Sequence, residues 1–452
     1  MNRNPIIAIA FVLLLPALLQ AQPESPVHST DAAVPPYGSG EQTALQYAGV
    51  QTPSNTITLD TGYEGAYDDN VLGATGARRQ GDQVHDLSAN ISILRQTPQM
   101  NLLLEYMPFY EFLGRFSQYN RFDQHLSADA SFNLGQHWSL RIRDVFDDQM
   151  SSYRSGLSSL AASGLGSPST LNTSIYVPFV DQQSNSSRVD LSWQGNTRNS
   201  AFLFGGYEFR NFSGTPSKSV SLLDTRGESA GAEYDWRARE HLTVGLLYLF
   251  QRLDFLGTPP VGSPTRLDVH SAYPSIGMRL RPTVQVTAFA GPQFVSATAS
   301  SAPWPYGVPV VSNQIEWSAG GTLSRQTDKS SWSVSAQRMV SDGGGFFSFV
   351  ISTNYSAGLR YMLPLQSRWD ATWNVGIAQN HALSIGNTTA DLYSQGASFG
   401  LEHPLRDNVM TRLSYDFINQ SGTGSLPVGS DFHRNRVSLG IYFRWTGVPM
   451  GR

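Results

Sequence analysis

From Asn55 onward, apolar and polar residues take turns along the chain. "TITLDTGYEGAY" sets Ile57, Leu59 and Tyr63 against Asp60 and Glu64. "RFDQHLSADASFN" sets Phe122, Leu126, Ala128, Ala130 and Phe132 against Arg121, Asp123, His125, Asp129 and Asn133. "RWDATWNVGIAQ" sets Trp369, Ala371, Trp373, Val375 and Ile377 against Arg368, Asp370, Thr372 and Asn374. "RVSLGIYFRW" sets Val437, Leu439, Ile441, Phe443 and Trp445 against Arg436, Ser438, Gly440 and Arg444. A period of two belongs to a strand whose faces meet different surroundings. About eighteen such segments follow one another, each of about 10–14 residues. Strands of soluble proteins average about 5–6 residues. A tilted strand crossing a bilayer needs about 9–11.

The connections alternate too. Short polar turns fall near 95–99, 134–137, 195–199, 237–240, 281–282, 327–331, 364–367 and 404–408. Between them lie longer links, among them 213–224, 255–265, 296–311 and 420–433, with 151–187 the longest. This predicts an all-β fold: a closed antiparallel transmembrane β-barrel of about 18 strands, with short periplasmic turns and long extracellular loops. Closure pairs every backbone N–H and C=O, so no edge is left in hydrocarbon.

"NLLLEYMPFYEF" (101–112) fits this scheme by parity. Leu102, Leu104, Tyr106, Tyr110 and Phe112 face lipid, and Glu105 and Glu111 face a wet lumen. Leu103, Met107 and Phe109 share that wet face, and Asp144 falls on the lipid row of "WSLRIRDVFDD". A bulge or a small change of register would return each to the expected side. Tyr110, Phe112, Trp138, Trp236, Trp332, Tyr361, Trp369 and Trp445 lie near segment ends, where interface girdles belong.

The first residues read as an address. "MNRNPIIAIAFVLLLPALLQAQ" has Arg3, an apolar run from Ile6 to Leu19, and small Ala21. This is a secretory signal, 1–21, cleaved after Ala21. Residues 22–54, rich in Pro, Ser, Gly and Gln, form a flexible periplasmic extension. The barrel takes 55–452. No later stretch has 18 uninterrupted apolar residues, so a helical inner-membrane protein is not expected. Net charge is −4 and no basic, aromatic surface stands out, which argues against a nucleic-acid partner. Cysteine is absent, which removes disulfides, thiolate metal sites and cysteine nucleophiles.

The candidate lumen charges are Glu105, Glu111, Arg141, Arg143, Arg188, Asp190, Glu208, Arg210, Arg368, Asp370, Arg412, Asp416, Arg436 and Arg444. Arg141 with Arg143, Arg188 with Asp190, and Glu208 with Arg210 are expected side by side on three successive strands. Arg368, Asp370, Arg412, Asp416, Arg436 and Arg444 form a second group. Either these are cross-strand ion pairs lining a wet wall, or they are charged rings that choose permeant solutes. Both signs are present, so no ion preference follows. The 151–187 loop is the candidate constriction. Asp68-Asp69-Asn70 and Asp147-Asp148-Gln149 offer oxygens that calcium would accept, but turn chemistry favours the same residues. No metal or cofactor is expected. The nine histidines show no HExxH and no paired spacing. No nucleophile constellation is present, so no catalytic residue is assigned and an enzyme is not expected.

At "GYEGAYDDNVLG" (62–73) the sequence resembles a family of bacterial outer-membrane β-barrels that open on a strand with a Tyr-x-Asp-Asn tip. Tyr67, Asp68, Asp69, Asn70 and Val71 match that tip. The resemblance implies a barrel over 55–452 and porin-like or polysaccharide-associated transport, since many members are encoded with exopolysaccharide or exosortase-linked systems. Alginate-export barrels are similar in expected strand number, but no motif here matches theirs. Phe443 and Trp445 resemble the terminal aromatic strand read by barrel-insertion machinery, although "TGVPMGR" follows them.

The expected function is a passive outer-membrane channel for small polar solutes or a secreted polysaccharide. Its expected partners are outer-membrane lipid and the insertion machinery. The alternatives are a structural or adhesive barrel with a filled lumen, and an outer-membrane hydrolase. A soluble propeller would show a repeat of about 40–50 residues, and none is evident. Nothing in the sequence displays a subunit interface.

Overall fold

The computed structural model describes residues 55–74, 79–149, 174–177, 180–213, 222–256, 264–300, 309–327, 329–363, 369–382, 390–424 and 431–449. The expected leader and extension lie outside these residues, as does Arg368. The first six strands are β1 (Thr56–Asp68), β2 (Asp82–Gln96), β3 (Met100–Leu113), β4 (Arg121–Asn133), β5 (Trp138–Gln149) and β6 (Asp181–Gln194). Next come β7 (Asn199–Ser213), β8 (Asp224–Arg239), β9 (Leu242–Leu256), β10 (Pro264–Arg281), β11 (Val284–Ser300) and β12 (Pro309–Gln326). The last six are β13 (Ser330–Gly343), β14 (Phe347–Leu363), β15 (Trp369–Ala382), β16 (Ala390–Arg406), β17 (Val409–Gly424) and β18 (Phe432–Pro449). A 3-10 turn, Ser117–Tyr119, sits between β3 and β4. Strand β6 starts earlier than the loop boundary expected at 187.

Every strand is antiparallel to the next, and β1 pairs with both β2 and β18. The sheet is therefore a closed ring of 18 strands. Following ladder partners once round returns about 22 residues further along β1, the stagger that tilted strands impose. With strands ~4.8 Å apart and ~3.3 Å per residue, the tilt is about 40° and the ring radius about 18 Å.

The two faces sort as the alternation requires. Exposed on the outside are Ile57, Leu59 and Tyr63 on β1, Leu246 and Tyr248 on β9, and Leu439, Phe443 and Trp445 on β18. Asp60, Asp86, Glu111, Glu208, Gln251 and Arg436 are buried on the inner face. At the tilt above, an apolar band about 25 Å tall takes about 10 residues of each strand.

Two expectations of local repair fail. Leu103, Met107 and Phe109 pair in unbroken register with Asp129, His125 and Asp123, so they stay on the inner face. Asp144 pairs with Ala128 and Ser187, also without a bulge, and stays on the outer face. It is satisfied there instead: Ser187 Oγ donates to it, and so does Asn185 Nδ2 at 3.1 Å. Those two partners sit on the outer face of β6, so the polar group is matched locally without moving the ladder.

The wall departs from a plain cylinder at β12 and β13. Their ladder stops at Ala319↔Arg338, although both strands continue. Above that point the β13–β14 hairpin leans into the lumen. Val340, Phe349 and Ile351 join one buried cluster with Leu253, Phe255, Leu267, Val269, Val295 and Ala297 from β9–β11. The sequence permits this because alternation lapses there. "FFSFVI" (346–351) is apolar on both parities, as a strand covered on both faces requires.

Candidate functional site

Among the described residues, two elements cross the lumen. The first is the tip of the β13–β14 hairpin. Its turn runs through Gly344 (φ +62°) and Gly345 (φ +90°), left-handed conformations that glycine adopts without a Cβ penalty. Asp342 accepts a hydrogen bond from Arg210 Nη1 on β7 at 3.0 Å, and both side chains are buried. Val340 N donates to the Gln293 side chain on β11 at 3.1 Å. Leu223 N donates to Gly345 O at 2.9 Å. The tip is thus tied to the inner walls of β7 and β11 and to the segment entering β8.

The second element is the segment 174–177, the described part of the long β5–β6 link. Tyr176 N donates to Gln420 Oε1 at 2.8 Å, and Gln420 Nε2 donates back to Tyr176 O at 2.9 Å. Asn380 Nδ2 donates to Ser174 Oγ at 3.1 Å. The Tyr176 ring packs with Ala378, Ile418 and Phe432. Burial pushes its hydroxyl pKa well above the ordinary tyrosine range. This segment is therefore docked on the inner wall of β15–β18. The two elements meet where Ile175, Val177 and Val180 pack on Phe346 and Val350. Together they reach from the β7–β8 wall to the β15–β18 wall. Of the 151–187 loop expected to narrow the lumen, 174–177 is docked on the inner wall; residues 151–173 and 178–179 lie outside the described residues.

A charged network lines the other side, across the seam that closes the ring. Arg436 on β18 is ion-paired with Asp86 on β2, and with Glu64 at 3.3 Å and Glu111 at 3.6 Å. Glu111 also meets Arg121 at 2.7 Å. Arg444 contacts Asp60 at 2.8 Å. Arg434 Nε donates to Asp68 at 2.6 Å. Next to it, Asn435 donates to Asp69 through its backbone N and through Nδ2, each at 2.6 Å. Asn70 Nδ2 donates to His433 O at 2.7 Å. The Tyr-Asp-Asp-Asn tip of β1 thus fastens β18. Its carboxylates are taken up by Arg434 and Asn435, while Asp147 pairs with His125 and Asp148 accepts from Gln183. Among the described residues, no three His, Asp or Glu side chains are grouped to hold a metal ion.

The comparisons with known proteins concern the strand arrangement. No protein-family model and no curated protein matches the chain. Solved structures do. It is similar to the outer membrane protein opdK from Pseudomonas aeruginosa, with 11% identity, coverage of 86% of this chain and 99% of that one, and a TM-score of 0.42. Pseudomonas aeruginosa OccK2 (OpdF) has 10% identity, 87% and 100% coverage, and a TM-score of 0.44. Pseudomonas aeruginosa OccK9 (OpdG) has 12% identity, 86% and 98% coverage, and a TM-score of 0.43.

Among the described residues, the sequence-derived charges are inward but grouped differently than expected; Arg368 lies outside them. Arg141 turns back to Asp129 on β4, with Nε at 2.9 Å, instead of joining β6. Arg143 (3.0 Å) and Arg188 (2.5 Å) share Asp190. The Arg188 guanidinium also lies 4.5 Å from the centre of the Phe204 ring. Arg210 leaves this group for Asp342, and Glu208 is buried on the same inner face. The second group also divides. Asp370 pairs with Arg360 at 3.2 Å and Arg412 with Glu402 at 3.7 Å, while Asp416 stands opposite Arg436 in the ladder. Glu105 accepts from Ser127 at 3.4 Å. Sequence reasoning missed Asp68, Glu64, Asp86, Asp342 and Gln420 as partners. Parity alone marks the first three as inward; their partners emerge only when β18 meets β1.

Proposed function

We propose that the chain is an outer-membrane channel for small polar solutes, narrowed by the hairpin tip and the 174–177 segment. The observation that carries this reading is the pairing of an apolar outer band with a charged inner wall that two docked elements cross. Lipid accepts the first surface and water the second. A barrel of this width is wide enough for an aqueous path, so its inserted elements set what passes. The lumen charges are the proposed selectivity residues. Transport of a secreted polysaccharide is the finer form suggested by the strand-tip resemblance; two elements across the lumen favour a small solute over a polymer. Outer-membrane location, insertion by the barrel machinery and the signal cleaved after Ala21 are parts of the same proposal.

Planar-bilayer recording tests it. The purified chain should give discrete conductance steps. Arg210→Met and Asp342→Asn, which release the hairpin tip, should enlarge them. A barrel with a permanently filled lumen is the second reading, favoured by the burial of Phe346, Val350 and Tyr176. It would be silent in the bilayer, wild type and variants alike, and that silence would remove the channel proposal.

A further inference from the structure

The outer face carries a groove of about 480 Å³ across β11–β15, lined by Ala288, Gly321, Leu323, Val334, Ala336 and Ala357 among others. Its origin is legible in the ladder. Ala288, Gly321 and Ala336 stand opposite one another on three neighbouring strands. None carries a side chain beyond Cβ, so the wall is thin along this row. Exposed Val334, Tyr355 and Ile377 stand around it.

The next outward position above Ala336 is Arg338, opposite Ala319 where the β12–β13 ladder ends. Its guanidinium lies 4.6 Å from the centre of the exposed Trp317 ring. Its charge partner, Glu316, is 3.5 Å away, a loose pairing. Arg338 Nε is buried with no hydrogen-bond partner among the described residues. That nitrogen is out of a ligand's reach, but the Nη end of the guanidinium, held only by the loose Glu316 pair, caps an apolar trough on the face that meets the bilayer. Trp rings favour the boundary between hydrocarbon and head groups. Arginine presents paired N–H donors that match a phosphate.

We infer that this groove is a binding site for one membrane phospholipid of anionic head group. Its acyl chain lies along the small-residue row and its phosphate meets Arg338. The inference rests on the reading of the outer face as lipid-covered. It is separable from it: a chain that stays in buffer without detergent would end both, whereas a membrane-inserted chain with no lipid preference would end this one alone.

The test is native mass spectrometry of the detergent-purified full chain, titrated with phosphatidylglycerol and, separately, phosphatidylcholine. Wild type should retain one phosphatidylglycerol about tenfold more tightly than phosphatidylcholine, whose choline cation offsets the phosphate charge that Arg338 meets. Ala336→Leu, which fills the trough, should weaken both lipids. Arg338→Gln should erase the preference between them. Glu316→Gln, which removes the competing carboxylate, should strengthen phosphatidylglycerol alone. Equal binding of the two lipids by wild type, or unchanged binding by Arg338→Gln, would overturn the inference. If Ala336→Leu does not fold, the Arg338 and Glu316 variants still decide.

Discussion

At the scale of single residues, the parity of a strand told which charges turn inward, but not which of them meet. Glu111 and Arg436 were both assigned to the lumen from alternation, and they lie within one network. Asp86 is 350 positions from Arg436, a separation no local pattern bridges. The buried pair of Asp68 and Arg434 gives a sharp expectation. Arg434→Met leaves a carboxylate buried without its cation and should lower unfolding free energy by about 3–5 kcal/mol. Guanidinium unfolding in lipid vesicles measures it, and the double change Asp68→Asn with Arg434→Met should recover most of the loss. Asp144 makes the opposite case. It stays among outward neighbours, held by Ser187 and Asn185. Asp144→Leu should raise stability in the same assay by about 1 kcal/mol, since a carboxylate on a lipid-facing row is unfavourable. A loss instead would mean that the three-residue cluster serves a contact of its own.

At the scale of elements, a ring of about eighteen strands was legible because most of them had to satisfy two solvents at once. The inward lean of the β13–β14 hairpin was not read from the sequence. Its signal was there, in the lapse of alternation at "FFSFVI" beside the Gly343–Gly345 run, yet such a run reads equally as a loop. What it packs against comes from β9–β11, which local sequence cannot name. Gly345 is the sensitive point. A side chain there would sit at positive φ and press on the Phe212 ring. Gly345→Val should cost about 1–3 kcal/mol in the docked tip and show a larger or noisier conductance, with the strand content unchanged by circular dichroism.

At the scale of the whole molecule, closure and stagger follow from ladders that the sequence could only count. The contents of the lumen follow from long-range docking, which explains why the ring and the 151–187 loop were foreseen while the inward hairpin and the docking partners of both elements were not. Because Arg143 and Arg188 share one carboxylate, Arg143→Gln should leave Asp190 neutralised by Arg188. The lumen then loses one positive charge, and the reversal potential in a salt gradient should move toward cation preference. The fastening of β1 to β18 has a temporal side. A ribosome delivers Asp68 and Asp69 hundreds of residues before Arg434 and Asn435. Throughout that interval one flank of β1 has nothing to bond. Assembly speed should then be governed by the arrival of the last hairpin, not by any step before it.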